Sequence, residues 1–187
     1  MKVSADFITS AATAADLPDE GIVAIALVGR SNVGKSSLIN ALVRQTVART
    51  SAAPGKTRLA NVYRVQRGAA APVHLVDLPG FGFARGGSEG FEQLAAGVVE
   101  RVDAALLLVD ARHPGLENDR AAWSWLRETV ASPAIVGTKI DKLARGQRIR
   151  ALNELASAFH APVLPVSAET GEGLDELWKL IDKLRSA

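Results

Sequence analysis

A glycine-rich segment near the N-terminus has the residue types and spacing that bind phosphate groups. The stretch from Gly29 to Ser36 reads GRSNVGKS and matches the pattern G-x-x-x-x-G-K-[ST] between an apolar run and a helical segment. Glycines let backbone N–H groups turn toward a phosphate, and the following helix N-terminus adds a favourable dipole. In this pattern Lys35 reaches the β- and γ-phosphates, and the Ser36 hydroxyl coordinates Mg²⁺. The residues predicted to bind phosphate are Gly29, Arg30, Ser31, Asn32, Val33, Gly34, Lys35 and Ser36.

A second motif, D-x-x-G, follows a predicted buried strand at Asp77-Leu78-Pro79-Gly80. Asp77 is expected to hold Mg²⁺ through a water molecule, and the Gly80 N–H is expected to meet the γ-phosphate. Ras-like enzymes place a glutamine after this glycine to orient the attacking water, but this chain has Phe81, whose side chain cannot hydrogen-bond water. We therefore predict slow intrinsic hydrolysis that depends on positioning and charge neutralisation, with a partner or a cation completing the site.

Two further loops are suited to read a guanine base. The Asp141 carboxylate can accept hydrogen bonds from both N1–H and N2–H₂ of guanine, whereas adenine offers neither donor. The stem of Lys139 would lie over the base, and a backbone N–H of the last loop would face guanine O6. GTP with Mg²⁺ is thus the predicted ligand, and its hydrolysis to GDP is the predicted reaction. The residues predicted to contact the base are Thr138, Lys139, Ile140, Asp141, Val166, Ser167 and Ala168.

A Pro/Gly stretch between these motifs is typical of a γ-phosphate sensor. A mobile loop with a hydroxyl side chain can complete the Mg²⁺ shell when GTP is bound and relax when GDP is bound. Thr50, Ser51 and Thr57 are all candidates for that hydroxyl, and the pattern alone does not choose among them. The nucleotide contacts predicted in this stretch are Gly55, Lys56, Thr57, Arg58 and Leu59.

Alternating apolar runs and helical patterns must position these loops. Strands are predicted at 22–28, 60–67, 73–77, 104–110, 133–138 and 163–166, and helices at 36–43, 90–102, 117–130, 147–159 and 173–184. Only five residues separate the second and third strands, so these two are expected to be antiparallel neighbours. The predicted fold is an α/β P-loop NTPase G domain, with a mostly parallel six-stranded sheet, one antiparallel edge strand and helices on both faces.

Helical spacing also separates core residues from surface residues. Trp178 belongs to an apolar stripe on the last helix and is expected in the core. Trp123 falls off the apolar face of its helix, which favours an exposed side chain. A similar stripe on the fourth helix is formed by Ile149, Leu152, Leu155 and Phe159.

Composition limits the remaining possibilities. The chain has 187 residues, which fits one domain, and no cysteine, which excludes disulfides and suits a reducing cytosol. We divide it into an N-terminal arm, residues 1–20, and a G domain, residues 21–187. The longest apolar runs are too short for a membrane span, and the N-terminus lacks the apolar region of a signal peptide. A cytoplasmic monomer without membrane contact is predicted.

Basic residues are concentrated in one stretch. The net charge is only +2, but no acidic residue lies between Glu20 and Asp77. One interpretation is a solvated basic face together with the cations that a phosphate site needs, and the other is a patch that attracts an RNA backbone. Charge alone does not decide between them. The cations of this stretch are Arg30, Lys35, Arg44, Arg49, Lys56, Arg58, Arg64 and Arg67.

The set of motifs resembles a known family. The segments GRSNVGKSSLINAL, ARTSAAPGKTRLAN, VDLPGFGFA, DARHPGLENDRAAWSWL, TKIDKL and PVSAETGEGLDELW are similar to the EngB (YihA/YsxC) family of bacterial GTPases, one branch of the TrmE-Era-EngA-EngB-Septin-like P-loop GTPases. The similarity runs from about Ile22 to Trp178. The sequence departs from the family at Phe81, where tyrosine is usual, and in the glycine-rich segment 84–90.

The resemblance implies roles that the residues alone do not. It selects Thr57 as the switch threonine and as a Mg²⁺ ligand beside Ser36, which gives a catalytic set of Lys35, Thr57 and Gly80. It implies a part in assembling the large ribosomal subunit, contacted through the basic switch region, and a link to cell division and septation. Asn32 matches the asparagine of potassium-stimulated relatives, so K⁺ is a second expected cofactor. The alternative is a GTP-gated binding module or division regulator with negligible hydrolysis.

Overall fold

The computed structural model describes residues 2–49, 59–81 and 88–185, without the side chains of 88–91. The strands are β1 (Val3–Ala11), β2 (Ala24–Gly29), β3 (Ala60–Arg67), β4 (Val73–Asp77), β5 (Ala104–Asp110), β6 (Ser132–Thr138) and β7 (Val163–Pro165). The helices are α1 (Lys35–Val43), α2 (Ser88–Val99), α3 (Glu117–Thr129), α4 (Arg145–Phe159) and α5 (Leu174–Arg185), with short 3₁₀ turns at Ala14–Asp16 and Ile140–Lys142. Within these described ranges, no helix is both long and apolar enough to cross a membrane.

The strands form one sheet in the order β1-β3-β4-β2-β5-β6-β7. β3 pairs antiparallel with β1 and β4, and every other pair is parallel. The predicted α/β class, with its mostly parallel sheet, is confirmed. The strand count and the edge assignment need correction, because the sheet has seven strands rather than six. β3 and β4 are antiparallel neighbours, as predicted, but the reversed strand β3 lies one place in from the edge because β1 covers it.

The edge strand β1 comes from the segment that the sequence analysis sets apart as an arm. Its buried positions are the small residues Ala5 and Ala11, whereas Phe7 and Ile8 are 53% and 38% exposed. A bulge between Phe7 and Thr9 also shifts the register of β1 against β3. A strand with alanines facing inward and large side chains facing solvent lacks the period-two apolar pattern, which is why the sequence does not indicate it.

Helices cover both faces of the sheet, as predicted. Residues 105, 107 and 109 of β5 belong to a core layer shared with α2, α3 and α4. The alternate residues 104, 106 and 108 belong to a second layer shared with α1 and α5. A strand buried on both faces is read as a continuous apolar run, and such a run predicted β5 at its observed position. This packing aligns the carboxyl ends of the parallel strands at one edge of the sheet, where the chemically interesting loops begin.

Trp178 and Trp123 differ in how well the sequence predicts their burial. Trp178 is buried on α5 and its Nε1 donates to Leu42 O at 3.3 Å, so its core position is confirmed. The expectation that Trp123 is exposed is wrong, because α3 packs against α4 and Trp123 Nε1 donates to Phe159 O at 3.1 Å. The apolar stripe on α4 begins later than predicted, since Ile149, its first member, is 58% exposed.

The turn between β3 and β4 holds both ends of the described chain. Gly68 N donates to Lys2 O at 2.8 Å, and the Arg185 guanidinium donates to Ala71 O at 2.6 Å. β4 begins at this turn and runs parallel to β2, so the turn lies at the end of the sheet opposite the carboxyl ends of the parallel strands. The two ends of the described chain therefore meet far from the loops discussed below.

Candidate nucleotide-binding site

The predicted phosphate loop connects β2 to α1 and needs a glycine at each end. A Cβ on Gly29 would lie 2.8 Å from Leu108 O, closer than side chains approach a backbone oxygen. Gly34, just before α1, has a φ of 107°, a left-handed conformation that glycine adopts without strain. The first turn of α1 carries N–H groups without partners inside the helix, so the loop presents donors to an anion.

Lys35 places a buried cation inside this loop. Its Nζ donates to Gly29 O at 3.2 Å and to Arg30 O at 3.4 Å. Burial lowers the pKa of Lys35, and the nearby Asp77 carboxylate opposes that shift. Both partners are neutral backbone oxygens at long hydrogen-bond distances, so the ammonium group can pair with a bound anion instead.

Ser36 and Asp77 meet beside Lys35, where the ends of α1 and β4 come together. The Ser36 hydroxyl donates to Asp77 Oδ2 at 3.0 Å. Asp77 Oδ1 is buried and has no hydrogen-bond partner among the described residues. Burial raises the pKa of Asp77, whereas the Lys35 charge and the Ser36 hydrogen bond lower it. Hydroxyl and carboxylate oxygens are the ligands that Mg²⁺ prefers, so this pair can hold Mg²⁺ or one of its water ligands.

The D-x-x-G motif is docked directly on the phosphate loop. Ser31 N donates to Phe81 O at 3.2 Å and Phe81 N donates to Gly29 O at 3.3 Å, which makes a short parallel bridge. The Ser31 hydroxyl adds a bond to Gly80 O at 3.3 Å. A Cβ on Gly80 would lie 2.5 Å from both Cα and N of Ser31. The two segments can be this close only because residue 80 is glycine.

The end of β6 is fastened to the phosphate loop. Thr138 Oγ1 makes bonds of 2.7 Å to Val33 O and 3.1 Å to Val109 O. Lys139 follows with a left-handed φ of 61°, and its Nζ donates to Asn32 O. The loop that is predicted to read the base is therefore held against the loop that is predicted to hold the phosphates.

Asp141 is held in place by the neighbouring loop. The Ser167 hydroxyl donates to Asp141 Oδ1 at 2.7 Å, and Lys142 Nζ lies 3.1 Å from Asp141 Oδ2. The Ser167 bond lowers the pKa of Asp141 more than burial raises it, so the carboxylate stays ionised at neutral pH. The loop after β7 is itself tight, since a Cβ on Gly173 would lie 2.1 Å from Pro165 O. The structure thus brings Asp141 and Ser167 together, as the sequence analysis expects.

The structure describes only some of the remaining predicted site residues. Leu78 and Pro79 are buried between Asp77 and Gly80, and Leu59 is exposed just before β3. Gly55, Lys56, Thr57 and Arg58 lie outside the described residues, as do the alternative hydroxyls Thr50 and Ser51. The choice of Thr57 therefore stays a prediction.

Three charged residues beside the phosphate loop were not predicted from the sequence. A small cavity there is lined by Asp110, Arg112 and Asp119 together with phosphate-loop residues and Lys139. Asp110 ends β5 at the same edge of the sheet as Asp77, so the strand-end rule could have identified it. Asp119 lies inside α3, and its sequence context, ENDRAAW, gives no sign that it is buried.

Asp119 gives a testable pH dependence. It is 2% exposed, its Oδ1 has no partner among the described residues, and burial raises its pKa to about 6. The folded protein thus holds this proton more tightly than the unfolded chain, and stability falls as pH rises between the two pKa values. We expect Asp119→Asn to be more stable than wild type by up to about 3 kcal/mol near neutral pH, with the advantage disappearing below about pH 4.

Chemical denaturation across this pH range measures the difference between the two proteins. Glu128→Gln is the matched control, because Glu128 is an exposed carboxylate on the same helix and should shift nothing. Parallel stability curves for Asp119→Asn and wild type would contradict the raised pKa.

Comparisons with known proteins identify relatives of this chain. A family model described as "50S ribosome-binding GTPase" matches residues 24–139, a range that holds the phosphate loop, the D-x-x-G motif and Lys139. The GTP-binding protein EngB of Pelotomaculum thermopropionicum is 39% identical over 195 residues, covering 98% of this chain and 96% of its own.

Two solved structures extend the comparison. A GTP-binding protein engB has a TM-score of 0.65 at 24% identity, covers 88% of this chain with 99% of its own, and supports the fold alone. Era, in complex with MgGDPNP and a segment of 16S ribosomal RNA, has a TM-score of 0.76 at 27% identity, and the match covers 87% of this chain and 56% of that one. The family match and the 39% identity over nearly the full length settle the classification: the chain belongs to the EngB family of GTP-binding proteins and is a GTPase.

Proposed function

We propose that this GTPase is a switch in the assembly of the large ribosomal subunit, acting in the cytoplasm as a monomer and needed for normal cell division and septation. The observation that carries the proposal is the match over residues 24–139 to a family described as binding the 50S ribosome. The acid-free stretch between Glu20 and Asp77 supports it, because a basic surface suits an RNA partner.

The nucleotide would lie along the loop edge of the sheet. In this proposal residues 29–36 bind the phosphates, with Gly55, Lys56, Thr57, Arg58 and Leu59 closing over them. Asp141 reads N1–H and N2–H₂ of guanine, Lys139 covers the base, and the backbone at Ser167 and Ala168 meets O6. The short bonds from Ser167 to Asp141 and from Thr138 to Val33 support this arrangement, because they fix the base-reading loops before a ligand arrives.

Mg²⁺ is the proposed metal cofactor, and it fits Asp77 Oδ1, which has no hydrogen-bond partner in the part of the chain that the structure describes, together with the nearby Ser36 hydroxyl. Ser36 and Thr57 would be its direct ligands, and Asp77 would act through water. The ion would supply positive charge against the phosphates. Lys35 adds a second positive charge at the same place, and the Gly80 N–H adds a donor for the γ-phosphate.

The same geometry leaves the attacking water poorly oriented. Phe81 follows Gly80, and its backbone is occupied in the bridge to the phosphate loop. Slow intrinsic hydrolysis follows, and a ribosomal partner or K⁺ would complete the site. The main-chain oxygen of Asn32 already accepts from Lys139, so its side-chain amide oxygen is the atom proposed for K⁺.

A candidate RNA contact begins directly after α1. Arg44 and Arg49 are exposed, and Asn40 fixes the loop between them. The Asn40 side chain accepts from Val47 N and Ala48 N at 3.0 and 2.8 Å and donates to Ala48 O at 2.8 Å. The two arginines are thus presented on a fixed loop that leads into the proposed switch segment. GTP would add Arg58 to this surface by ordering that segment.

Nucleotide-dependent binding to large-subunit particles tests the proposal. We expect tighter binding with a non-hydrolysable GTP analogue than with GDP, and a steep loss of binding as salt rises. Neutralising Arg44, Arg49 and Arg58 together should weaken binding and lower the salt slope by about one for each phosphate that is no longer bound, while GTP affinity stays nearly unchanged.

The matched control neutralises Arg120, Arg127 and Arg150, three exposed arginines on α3 and α4, and should leave binding unchanged. Equal particle binding with both nucleotides would refute the switch. Single-turnover hydrolysis with and without particles separates this proposal from a GTP-gated module with negligible hydrolysis, since only the switch predicts stimulation by the particle.

A further inference from the structure

Charged side chains meet where β5 and β6 end, with Asp110 and Arg112 beside Lys139. Asp110 Oδ1 accepts from Arg112 Nε at 2.9 Å and from Arg112 N at 3.0 Å. Asp110 Oδ2 accepts from the Arg112 guanidinium at 2.7 Å and lies 3.1 Å from Lys139 Nζ. Both oxygens of one carboxylate are therefore fixed by Arg112, and one of them also holds Lys139.

Lys139 connects two strained pieces of backbone. Its own φ is 61°, and Asn32 on the phosphate loop has a φ of 62°, a left-handed conformation that residues with a Cβ adopt at a cost. The Lys139 Nζ donates to Asn32 O, so the side chain of one left-handed residue binds the backbone of the other. Such conformations persist where surrounding contacts hold them, and Asp110 supplies the only carboxylate contact to Lys139 within the described residues.

We propose that Asp110, oriented by Arg112, is a positioning residue that holds Lys139 in place and thereby sets how slowly bound nucleotide dissociates. The step rests on the proposed placement of Lys139 over the base. A lysine stem without this anchor would sample several rotamers, and the base would lose a fixed surface. Asp110 touches neither the base nor the phosphates in this proposal, so it acts through Lys139 alone.

The charge of Asp110 is central to this role. Burial opposes ionisation, yet hydrogen bonds from Arg112 and Lys139 lower the pKa of Asp110 to about 2. The carboxylate thus stays charged across the whole working range of pH. Asp110→Asn keeps an oxygen that can accept from Arg112 N but removes the negative charge between the two cations. The exchange should therefore loosen Lys139 without rebuilding the turn after β5.

Dissociation of a fluorescent GDP analogue measures the effect directly. We expect Asp110→Asn to release GDP on the order of ten-fold faster, since a charge-assisted bond is removed, while the association rate changes little. Arg112→Ala should give a smaller rise, which disappears when Asp110→Asn is already present.

Lys139→Ala separates this inference from the proposal on which it rests. If Lys139→Ala alone leaves GDP dissociation unchanged, the placement of Lys139 over the base is wrong. Suppose that Lys139→Ala speeds dissociation, and that Asp110→Asn has the same effect in the Lys139→Ala protein as in wild type. The placement of Lys139 over the base would then stand, but the role of Asp110 would be overturned. The inference predicts that Asp110→Asn has no further effect once Lys139 is alanine.

Two controls exclude a general loss of structure. Glu117→Gln changes an exposed carboxylate at the start of α3, near the same turn, and should release GDP at the wild-type rate. The melting temperature of Asp110→Asn without nucleotide should fall modestly, because the lowered pKa of Asp110 means that its charge stabilises the fold, and unfolding should stay a single cooperative transition. Loss of that cooperative transition together with slower association would show that Asp110 serves the fold, and would overturn the positioning role.

Discussion

Asp141→Asn is expected to weaken GTP binding by about 3–6 kcal/mol, on the order of 10²- to 10⁴-fold, and to make xanthosine triphosphate the better ligand. Two charge-assisted hydrogen bonds to guanine would be removed. Xanthine presents a carbonyl where guanine has its amino group, and the asparagine amide can donate to that oxygen. Competition between the two triphosphates for a fluorescent nucleotide measures the exchange.

The structure shows why this variant should change specificity rather than fold. The asparagine side chain would keep an oxygen to accept the 2.7 Å bond from the Ser167 hydroxyl, so the loop stays fastened. The exposed Lys142 loses its ion pair, which at a surface costs little. Asp19→Asn, an exposed position at the other end of the sheet, is the control and should bind GTP normally. Unchanged GTP affinity in Asp141→Asn would place the base pocket elsewhere.

Gly80→Ala is the second substitution with a large expected effect. Its Cβ would lie 2.5 Å from the Ser31 backbone, so one of the two segments must move. The phosphate loop is held by Thr138 Oγ1 and by Lys35 Nζ, so we expect the D-x-x-G segment to be displaced. Moving the Gly80 N–H away from the γ-phosphate should slow single-turnover GTP hydrolysis by about 10²-fold, with GDP affinity within about three-fold of wild type.

Gly146→Ala is the matched control for this substitution. A Cβ there would meet nothing within 4 Å, and the position lies in the first turn of α4. The change should leave hydrolysis unchanged and raise stability by about 0.5–1 kcal/mol, because alanine suits a helix better than glycine. If Gly80→Ala weakened GDP and GTP equally and left the chemical step intact, the phosphate loop would be the displaced segment.

The parts of the fold that the sequence predicted share one physical cause. β2, β4 and β5 are buried along nearly their whole length, so each is read as an apolar run, and β2 and β4 each end at a motif. β1 was missed because its packing depends on Ala5 and Ala11 against β3, a long-range contact without a local pattern. Trp123 was misjudged for a related reason: helical spacing shows the side of α3 that faces the sheet but not the side that faces α4.

The candidate site divides in the same way. Gly34, Lys35, Asp77 and Asp141 are found by spacing because their chemistry requires fixed distances along the chain. The role of Asp110 could not be read this way, because its importance comes from Arg112 and Lys139, and the latter is far away in sequence. The motif reveals the groups that would touch a ligand, whereas the groups that hold them are visible only in three dimensions.

The turn between β3 and β4 has a practical consequence for handling the protein. It binds Lys2 and Arg185, so the two ends of the described chain are neighbours at the pole away from the nucleotide loops. A short peptide could join them, and new ends could then be opened at an exposed loop without redirecting any strand. For the same reason, a dye, a surface anchor or a fused reporter attached at either end would leave the opposite pole clear for nucleotide.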